Sequence, residues 1–554
     1  MRLAEHWDYF RRSPSFALAF GLSAWMPADI RANVAKSRRF VILVNRKFTK
    51  IRHHSESPMV QGHAALVTVA IVLVALPSRG FAQGAPPAPA AAAAPAPPAD
   101  AKTALANAEK AMGASNLKTV QYSGAGSSAG IGQNRNPSAN WPLVRVTSYV
   151  REFDFSVPAS RAQIVRLQDG NQQKQDQTIL STAPWGQQYD LWLSPFAFLK
   201  GAAANPPTME FKTVMGIPYT VLTYMLQNKY KVRGYIDDKN MIYKVETWVE
   251  NQVLGDMLVE AFYSDYKDYS GVKFPTTMIT KQDGRNTLIL IVDEVKPNAA
   301  VNIQAPQQAQ TPGAAPAAAP SAVAVKTEKI APGVYYLMGG SHHSVVVEFA
   351  DHLAVIEAPQ NEERSLAVIG EARRLSRKPI RYLVNTHHHF DHSGGLRTYV
   401  DAGATIVTHD INKAFYERVL SPTAPRTLNP DRLALNKKAP MLKIETVADK
   451  KVLSDTARTL ELHLIKDNAH NDGILMAYLP AEKILVEADA FTPPAPNAPP
   501  ATTVSPNTTN LVDNIERLKL DVDWILALHG PGVATKADLY KAVGKPVPAS
   551  GAGH

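Results

Sequence analysis

The sequence predicts an α+β protein: an antiparallel, β-rich domain followed by a domain in which strands and helices alternate. Three observations carry this reading. Two segments made almost wholly of small residues and proline, 83–100 and 305–325, interrupt the chain, and such segments have nothing to bury and act as linkers. Between them, residues 101–304 run largely as Val/Ile/Tyr/Thr-rich stretches broken by polar turns. After them, residues 326–550 alternate short apolar runs with amphipathic ones.

At the N-terminus, residues 1–58 carry eleven Lys/Arg against four Asp/Glu, and their mixed sequence specifies no fold. Met59 is an alternative start, which would make 1–58 an extension. Residues 59–82 read as a cleavable secretory signal. The uncharged run Ala64–Leu76 is followed by Pro77 and by Gly80-Phe81-Ala82, with small residues where a signal peptidase reads. The mature chain is expected to begin near Gln83 and to be periplasmic or secreted. A permanent anchor is the alternative, but thirteen residues fall short of the roughly 20 that span a bilayer, so no stable membrane span is expected after cleavage.

The formal charge of +10 comes mostly from this leader: residues 1–58 supply +7 and Arg79 one more, leaving about +2 beyond Ala82. That is too little for an electrostatic nucleic-acid footprint, and no nucleic-acid partner is expected. The chain has no cysteine, which excludes disulfides and thiolate metal ligands. A metal site must therefore be built from histidine and carboxylate.

The β-rich domain opens with a helix, Ala101–Met112, and continues with strands at Lys229–Tyr235, Ile242–Glu250 and Leu258–Tyr266, separated by turns such as Asp237-Asp238-Lys239-Asn240. The run Tyr266-Lys267-Asp268-Tyr269-Ser270-Gly271-Val272-Lys273-Phe274-Pro275 resembles a segment of the half-barrel domains of outer-membrane lipoprotein carriers. That resemblance implies a concave sheet able to hold an acyl chain; the alternative is a packing or substrate-positioning module.

In the second domain, Ser344–Phe349 and Leu353–Ile356 are expected strands. A helix follows over Asn361–Ser376, with Leu366, Ile369, Ala372 and Leu375 as its apolar stripe, and Pro379 stops it. The next strand, Ile380–Asn385, ends in a histidine-rich loop, and loops at the carboxyl ends of strands are where α/β proteins place ligands.

Four side chains able to bind metal, His387, His389, Asp391 and His392, fall within six residues. At 16 histidines in 554 residues, this spaced pattern arises by chance on the order of once in a thousand such sequences, so chance is a poor explanation. In a tight loop, His387 and His389 can face one ion while Asp391 and His392 face a second about 3.5 to 4 Å away.

The run Thr386-His387-His388-His389-Phe390-Asp391-His392-Ser393-Gly394-Gly395 resembles the T-H-x-H-x-D-H-x-G-G signature of the metallo-β-lactamase superfamily. His470, in Asp467-Asn468-Ala469-His470-Asn471-Asp472-Gly473, matches a later ligand of that pattern. So do Asp489, after the strand Ile484–Val486, and His529, after Trp524–Leu528. The resemblance covers 326–550 and implies an αββα sandwich. It implies a first ion held by His387, His389 and His470, and a second held by Asp391, His392 and His529. Asp489 would bridge them, and Asp391 would also orient and deprotonate the attacking water. Two Zn2+ ions are implied, with iron or manganese as alternatives.

Other residues take plainer readings. His388 occupies the variable position of the signature and is expected to hydrogen-bond outside the site. His342 and His343, on a strand-entry loop at the mouth, are candidate substrate contacts. His352, His409 and His463 read as a turn, a helix start and a strand residue, Asp472 as a support beside a ligand or a solvated group, and 493–506 as a cleft wall or a surface excursion.

The expected function is hydrolysis of a small-molecule ester, lactone, thioester or amide. Three rivals stand beside it: a zinc β-lactamase, a mononuclear iron oxygenase of the same fold, and a non-catalytic periplasmic lipid-binding protein. Zinc β-lactamases with this Asp-His pair usually lack the bridging aspartate, which favours the general hydrolase. Oligomeric state is not legible.

Overall fold

Strand-forming sequence between 119 and 297 yields one antiparallel sheet of eleven strands in the computed structural model, which describes residues 97–168, 170–304, 323–495, 497 and 503–548. The signal and the N-terminal extension lie outside the described residues, as do most of both linkers. The strands are β1 (Thr119–Ala129), β2 (Leu143–Asp154), β3 (Ala159–Gln168), β4 (Asn171–Leu180), β5 (Thr208–Val214), β6 (Ile217–Leu226), β7 (Tyr230–Ile236), β8 (Ile242–Asn251), β9 (Gly255–Tyr269), β10 (Val272–Gln282) and β11 (Arg285–Pro297). Their order is β4-β3-β2-β1-β11-β10-β9-β8-β7-β6-β5, with β4 and β5 at the two edges.

The helix Ala101–Met112 forms over the span expected, with the Asp100 side chain accepting from the Thr103 amide at its start and Gly113 closing its end. Two further helices, Trp185–Leu193 and Pro195–Ala204, were hidden in sequence by their aromatic content. Trp185–Leu193 touches both β4 and β8, which lie seven strands apart. At about 4.8 Å per strand a flat sheet would separate them by roughly 34 Å, so the sheet curls around its helices. The concave form expected of a half-barrel is therefore present, but its hollow is filled. Phe196 stacks on Phe274, Phe198 packs on Tyr224, and the space left beside the Arg151–Asp190 ion pair is about 40 Å³. That is room for a water molecule or two.

The C-terminal region forms two stacked sheets. The first contains β12 (Lys326–Ala331), β13 (Val334–Met338), β14 (Ser344–Glu348), β15 (Leu353–Ile356), β16 (Ile380–Val384), β17 (Thr405–His409) and β18 (Ile444–Val447), in that order. It is antiparallel through β15 and parallel from β15 to β18. The second contains β19 (Lys450–Ser454), β20 (Thr459–Leu464), β21 (Leu475–Leu479), β22 (Ile484–Glu487), β23 (Trp524–Ala527) and β24 (Val533–Thr535), with β22 and β23 its one parallel pair.

Period-2 alternation divides each strand between two cores. Val345, Val347, Ala354, Ile356 and Val384 meet Leu460, Leu462, Ala477 and Val486 between the sheets. Val346, Leu353, Val355 and Leu383 face the helices Glu362–Leu375 and Leu396–Asp401 outside the first sheet, and Met476, Leu485 and Ile525 face Pro506–Leu518 outside the second. This is the expected αββα sandwich. In Glu362–Leu375 the buried face is Ser365, Val368, Ile369 and Ala372, while Leu366 is exposed. The predicted stripe is one position out of phase at its start because Arg364, by type a surface residue, is buried and donates to the Leu337 carbonyl.

The described residues of the β-rich domain and of the sandwich form one compact unit. The turn between β8 and β9 inserts into the second domain, burying Val253 in its outer core. Arg426 donates to the carbonyls of Asn251, Gln252 and Val253, and burial pulls its guanidinium down to about 10. The Asp256 carboxylate accepts from the Thr427 amide and hydroxyl and from the Leu428 amide. A Cβ on Gly255, at φ +82°, would stand 2.2 Å from the Pro425 carbonyl oxygen, so the fit allows no side chain there.

A fragment of residues 326–548 should therefore melt several degrees below the full mature chain, which should unfold in one transition. Scanning calorimetry of both decides it: equal melting temperatures, or two resolved transitions in the full chain, would show that the interface contributes no stability.

Candidate metal centre

The loops that carry the clustered histidines emerge at one end of the sandwich. β15, β16, β22 and β23 run in a common direction within their sheets and end at Ile356, Val384, Glu487 and Ala527, just before Glu357, His387, Asp489 and His529. β14 and β21 run the opposite way, so the segments entering them, which carry His342 and His470, reach the same end. The two sheets are stitched there by the Leu475 amide donating to the Thr386 carbonyl at 2.8 Å.

Ligand atoms of His387, His389, His470 and Asp489 lie within 4.8 Å of one another, as the resemblance implied for a first ion with its bridge. Asp391, His392 and Asp489 form a second such group. Asp489 thus belongs to both, and its two oxygens divide between them. Oδ2 lies 2.9 Å from His470 Nε2 and 3.5 Å from His387 Nε2, whereas Oδ1 lies 3.2 Å from His392 Nε2. Asp489 holds a left-handed backbone, φ 53°, which aims the carboxylate back between the loops. The buried Glu487 secures that turn by accepting from the Ala490 and Phe491 amides, and burial pushes its carboxyl up to about 8.

His529 lies on the Asp391 side of the cluster. It groups with Asp391 and His342, and its ring centre is 6.2 Å from that of His392. His342, expected at most to touch substrate, sits between them with Nε2 3.2 Å from Asp391 Oδ2 and its ring 4.3 Å from the His529 ring. His343 does not face the site. Its Nε2 donates to the Gly530 carbonyl at 2.6 Å and its Nδ1 accepts from the Gly339 amide, so neither nitrogen is left for substrate. His388 bonds outside the cluster as expected, to Asn134 Oδ1 and the Asn471 side chain.

Hydrogen bonds fix which ring nitrogen of His392, His387 and His389 is bare. Glu357, fully buried, accepts from His392 Nδ1 at 3.1 Å and from the Thr386 hydroxyl. Thr386 Oγ1, having given its proton to Glu357, accepts from His387 Nδ1 at 3.1 Å. His389 Nε2 donates to the Asn134 carbonyl at 3.0 Å. The inward nitrogens, His387 Nε2, His389 Nδ1, His392 Nε2 and His470 Nε2, are buried without a hydrogen-bond partner, as is Asp489 Oδ1. Five convergent orphaned lone-pair atoms are costly unless something electropositive completes them, and borderline-soft divalent metals suit a nitrogen and carboxylate set.

The electrostatics agree with this. Burial holds His387 well below the usual imidazole range and brings His389 down to about 4, which keeps both in the neutral form that binds metal. Burial opposes the charge of Asp489, but His392, His387 and His470 outweigh it and hold the carboxyl well below its ordinary value. His392 is raised well above its ordinary value against its burial, because Asp489 and Glu357 flank it. A cation at this place would take over the role of that proton.

Sequence reading misses Glu357, Glu487 and Asn134. The two glutamates have a local signal, since each is an acid directly after a run of three apolar residues, in Ala354-Val355-Ile356-Glu357 and Ile484-Leu485-Val486-Glu487. Asn134 has none, because it comes from the other domain.

Residues 337–527 match the family model of the metallo-beta-lactamase superfamily. No curated protein matches the chain. Among solved structures, a metallo-beta-lactamase from Pontibacter korlensis aligns at 15% identity over 40% of this chain and 98% of its own, with a TM-score of 0.31. The metallo-beta-lactamase FIM-1 from Pseudomonas aeruginosa aligns at 17% identity over 41% of this chain and 96% of its own, also at 0.31. The rubredoxin oxygen:oxidoreductase of Desulfovibrio gigas aligns at 17% identity over 40% of this chain and 60% of its own, at 0.30. These likenesses are too remote to carry function. Together with the ligand loops at one end of an αββα sandwich, the family match makes the C-terminal domain a metallo-β-lactamase fold.

Proposed function

We propose that the chain is an exported hydrolase that holds two metal ions, zinc in the native state, and cleaves a small-molecule ester, lactone, thioester or amide. One observation carries the reading above all: the two oxygens of Asp489 face two different sets of unpartnered histidine nitrogens. A one-ion site has no use for a carboxylate turned both ways, which also speaks against the iron oxygenase.

His387, His389 and His470 would hold one ion, Asp391 and His392 the other, with Asp489 between them and His529 and His342 completing the second side. When bound, such ions polarise a scissile carbonyl and make water acidic near neutral pH. The protein's own groups do the remainder. Glu357 and Thr386 keep protons on the outward nitrogens of His392 and His387, so the inward ones stay basic. Asp391 accepts from Gln133 Nε2 at 2.9 Å through Oδ1 and faces His342 through Oδ2, which holds its carboxylate ionised and places it to orient a water and take up its proton.

Purified mature chain should contain about two zinc ions and turn over at least one member of a panel of esters, lactones, thioesters, amides and β-lactams. Asp489→Ala should abolish that turnover and leave one ion or fewer, because only a carboxylate can neutralise both sites at once. An Asp489 variant with full zinc and normal turnover refutes the two-ion reading, and turnover of β-lactams alone moves the substrate class.

Export rests on Ala64–Leu76 and Gly80-Phe81-Ala82. Among the described residues no helix is long and apolar enough to cross a membrane. N-terminal sequencing of the protein from its native host should read from near Gln83; a retained Met1 or Met59 would sink the export proposal.

A further inference from the structure

β1 and β2 form a hairpin whose strands stay paired as far as Ala129 and Leu143, and the Gly130 amide still donates to the Pro142 carbonyl. Two residues would suffice to turn the chain there. Instead it makes an eleven-residue excursion, 131–141, out of the β-rich domain and onto the histidine loops of the other domain. The excursion is braced from its own side. Arg285, at the start of β11, donates to the carbonyls of Pro137 and Ala139, and the Asn134 side chain donates to Asn136 and Ala139. Its far side touches two side chains of the metal centre, His389 and Asp391, and beyond them Asp472 and Phe390. Asn134 accepts from His389 Nε2 through its backbone carbonyl, at 3.0 Å. Gln133 donates to Asp391 Oδ1, at 2.9 Å. Arg135 and Asn136 bind the Asp472 carboxylate, two residues from His470. Gly132 lies against Phe390, where a Cβ would stand 2.3 Å from the ring.

The contact to His389 has a chemical consequence. A carbonyl can only accept, so His389 must carry its proton on Nε2, and the nitrogen left bare is Nδ1, the same buried atom that lacks a partner inside the cluster. Rotating the ring or moving the proton would leave either a buried carbonyl unsatisfied or no lone pair facing inward. Gln133 likewise occupies one oxygen of Asp391 and leaves the other turned toward His342 and His392.

We propose that the loop 131–141 is a working part of the metal centre, with Asn134 and Gln133 as positioning residues for His389 and Asp391. The β-rich domain, on this proposal, sets how tightly the second domain holds metal. The proposal rests on the metal-centre reading and deepens it.

The test replaces 131–141 with Asn-Gly in the full mature chain, alongside Gln133→Ala and Arg135→Ala. Zinc affinity is measured by chelator competition, the ligand field by the visible spectrum of the Co2+-loaded protein, and folding by melting and circular dichroism. Supporting outcomes are a zinc Kd weakened about 10- to 100-fold in the loop replacement and about 10-fold for one ion in Gln133→Ala, each with an altered Co2+ spectrum and an intact β-sheet signal. Arg135→Ala, whose side chain reaches Asp472 and no ligand, should leave the Co2+ spectrum unchanged. Should the loop replacement fail to fold, Gln133→Ala alone decides. Wild-type affinity and spectrum in Gln133→Ala and in a folded loop replacement overturn the proposal, as does an Arg135→Ala variant that weakens zinc as much as the loop replacement. A wild-type chain that takes up no metal overturns the metal-centre reading itself, and the proposal with it.

Discussion

A buried imidazole can present a bare nitrogen to a cation only if its other nitrogen has an acceptor, and the site depends on meeting that requirement for His387, His389 and His392. Glu357 meets it for His392 directly and for His387 through Thr386. The acceptor for His389 is a backbone carbonyl from another domain. None of these acceptors is a proposed metal ligand, yet each dictates the form in which a ligand meets its ion. Removing an acceptor would strand a buried N–H and free the ring to turn, at a cost of about 1–3 kcal/mol for the unsatisfied group alone.

The scaffold makes this arrangement possible by separating stiffness from chemistry. Both faces of each sheet in the sandwich are covered, so β14 and β15 are buried along nearly their whole length. Polar chemistry begins where the strands stop. Glu357 and Asp489 both take left-handed backbone conformations at these stops, an arrangement of about 1 kcal/mol or more that neighbouring hydrogen bonds must offset. The Glu357 amide donates to the Val384 carbonyl and the Ala490 amide to that of Ala488, which pins both turns.

How much of this is legible in the sequence follows from the range of the interactions. The histidine motif can be read because four side chains able to bind metal fall within six residues after an apolar strand, and the three later positions, His470, Asp489 and His529, because the resemblance to a known signature points to them. The helix Glu362–Leu375 can be read because Asn361 caps it and its apolar period is regular, although the period alone puts Leu366 on the wrong face. Cross-domain pairings have no such local mark. Asn134 to His389 spans 255 positions and Arg426 to Val253 spans 173, and nothing near either residue distinguishes it from a solvated side chain. Sequence places His342 on the right loop but not among its neighbours, because its approach to Asp391 and His529 depends on a bridge at the mouth between the segment entering β14 and the one leaving β23, strands of different sheets.

The curled eleven-stranded sheet never closes, and that openness leaves two rims of backbone facing outward. An open rim is a template on which a second chain can add a strand, and long sheets of this kind are prone to stack edge to edge. Here β4 is a run of Gln, Asn, Lys and Asp whose side chains are exposed on both faces for most of its length, and β5 carries Glu210 and Lys212 as an ion pair at the other rim. A strand added at either lip would have to desolvate those charges, so the sheet's unfinished edges resist polymerisation, and the barrel can stay open without becoming a seed for fibres.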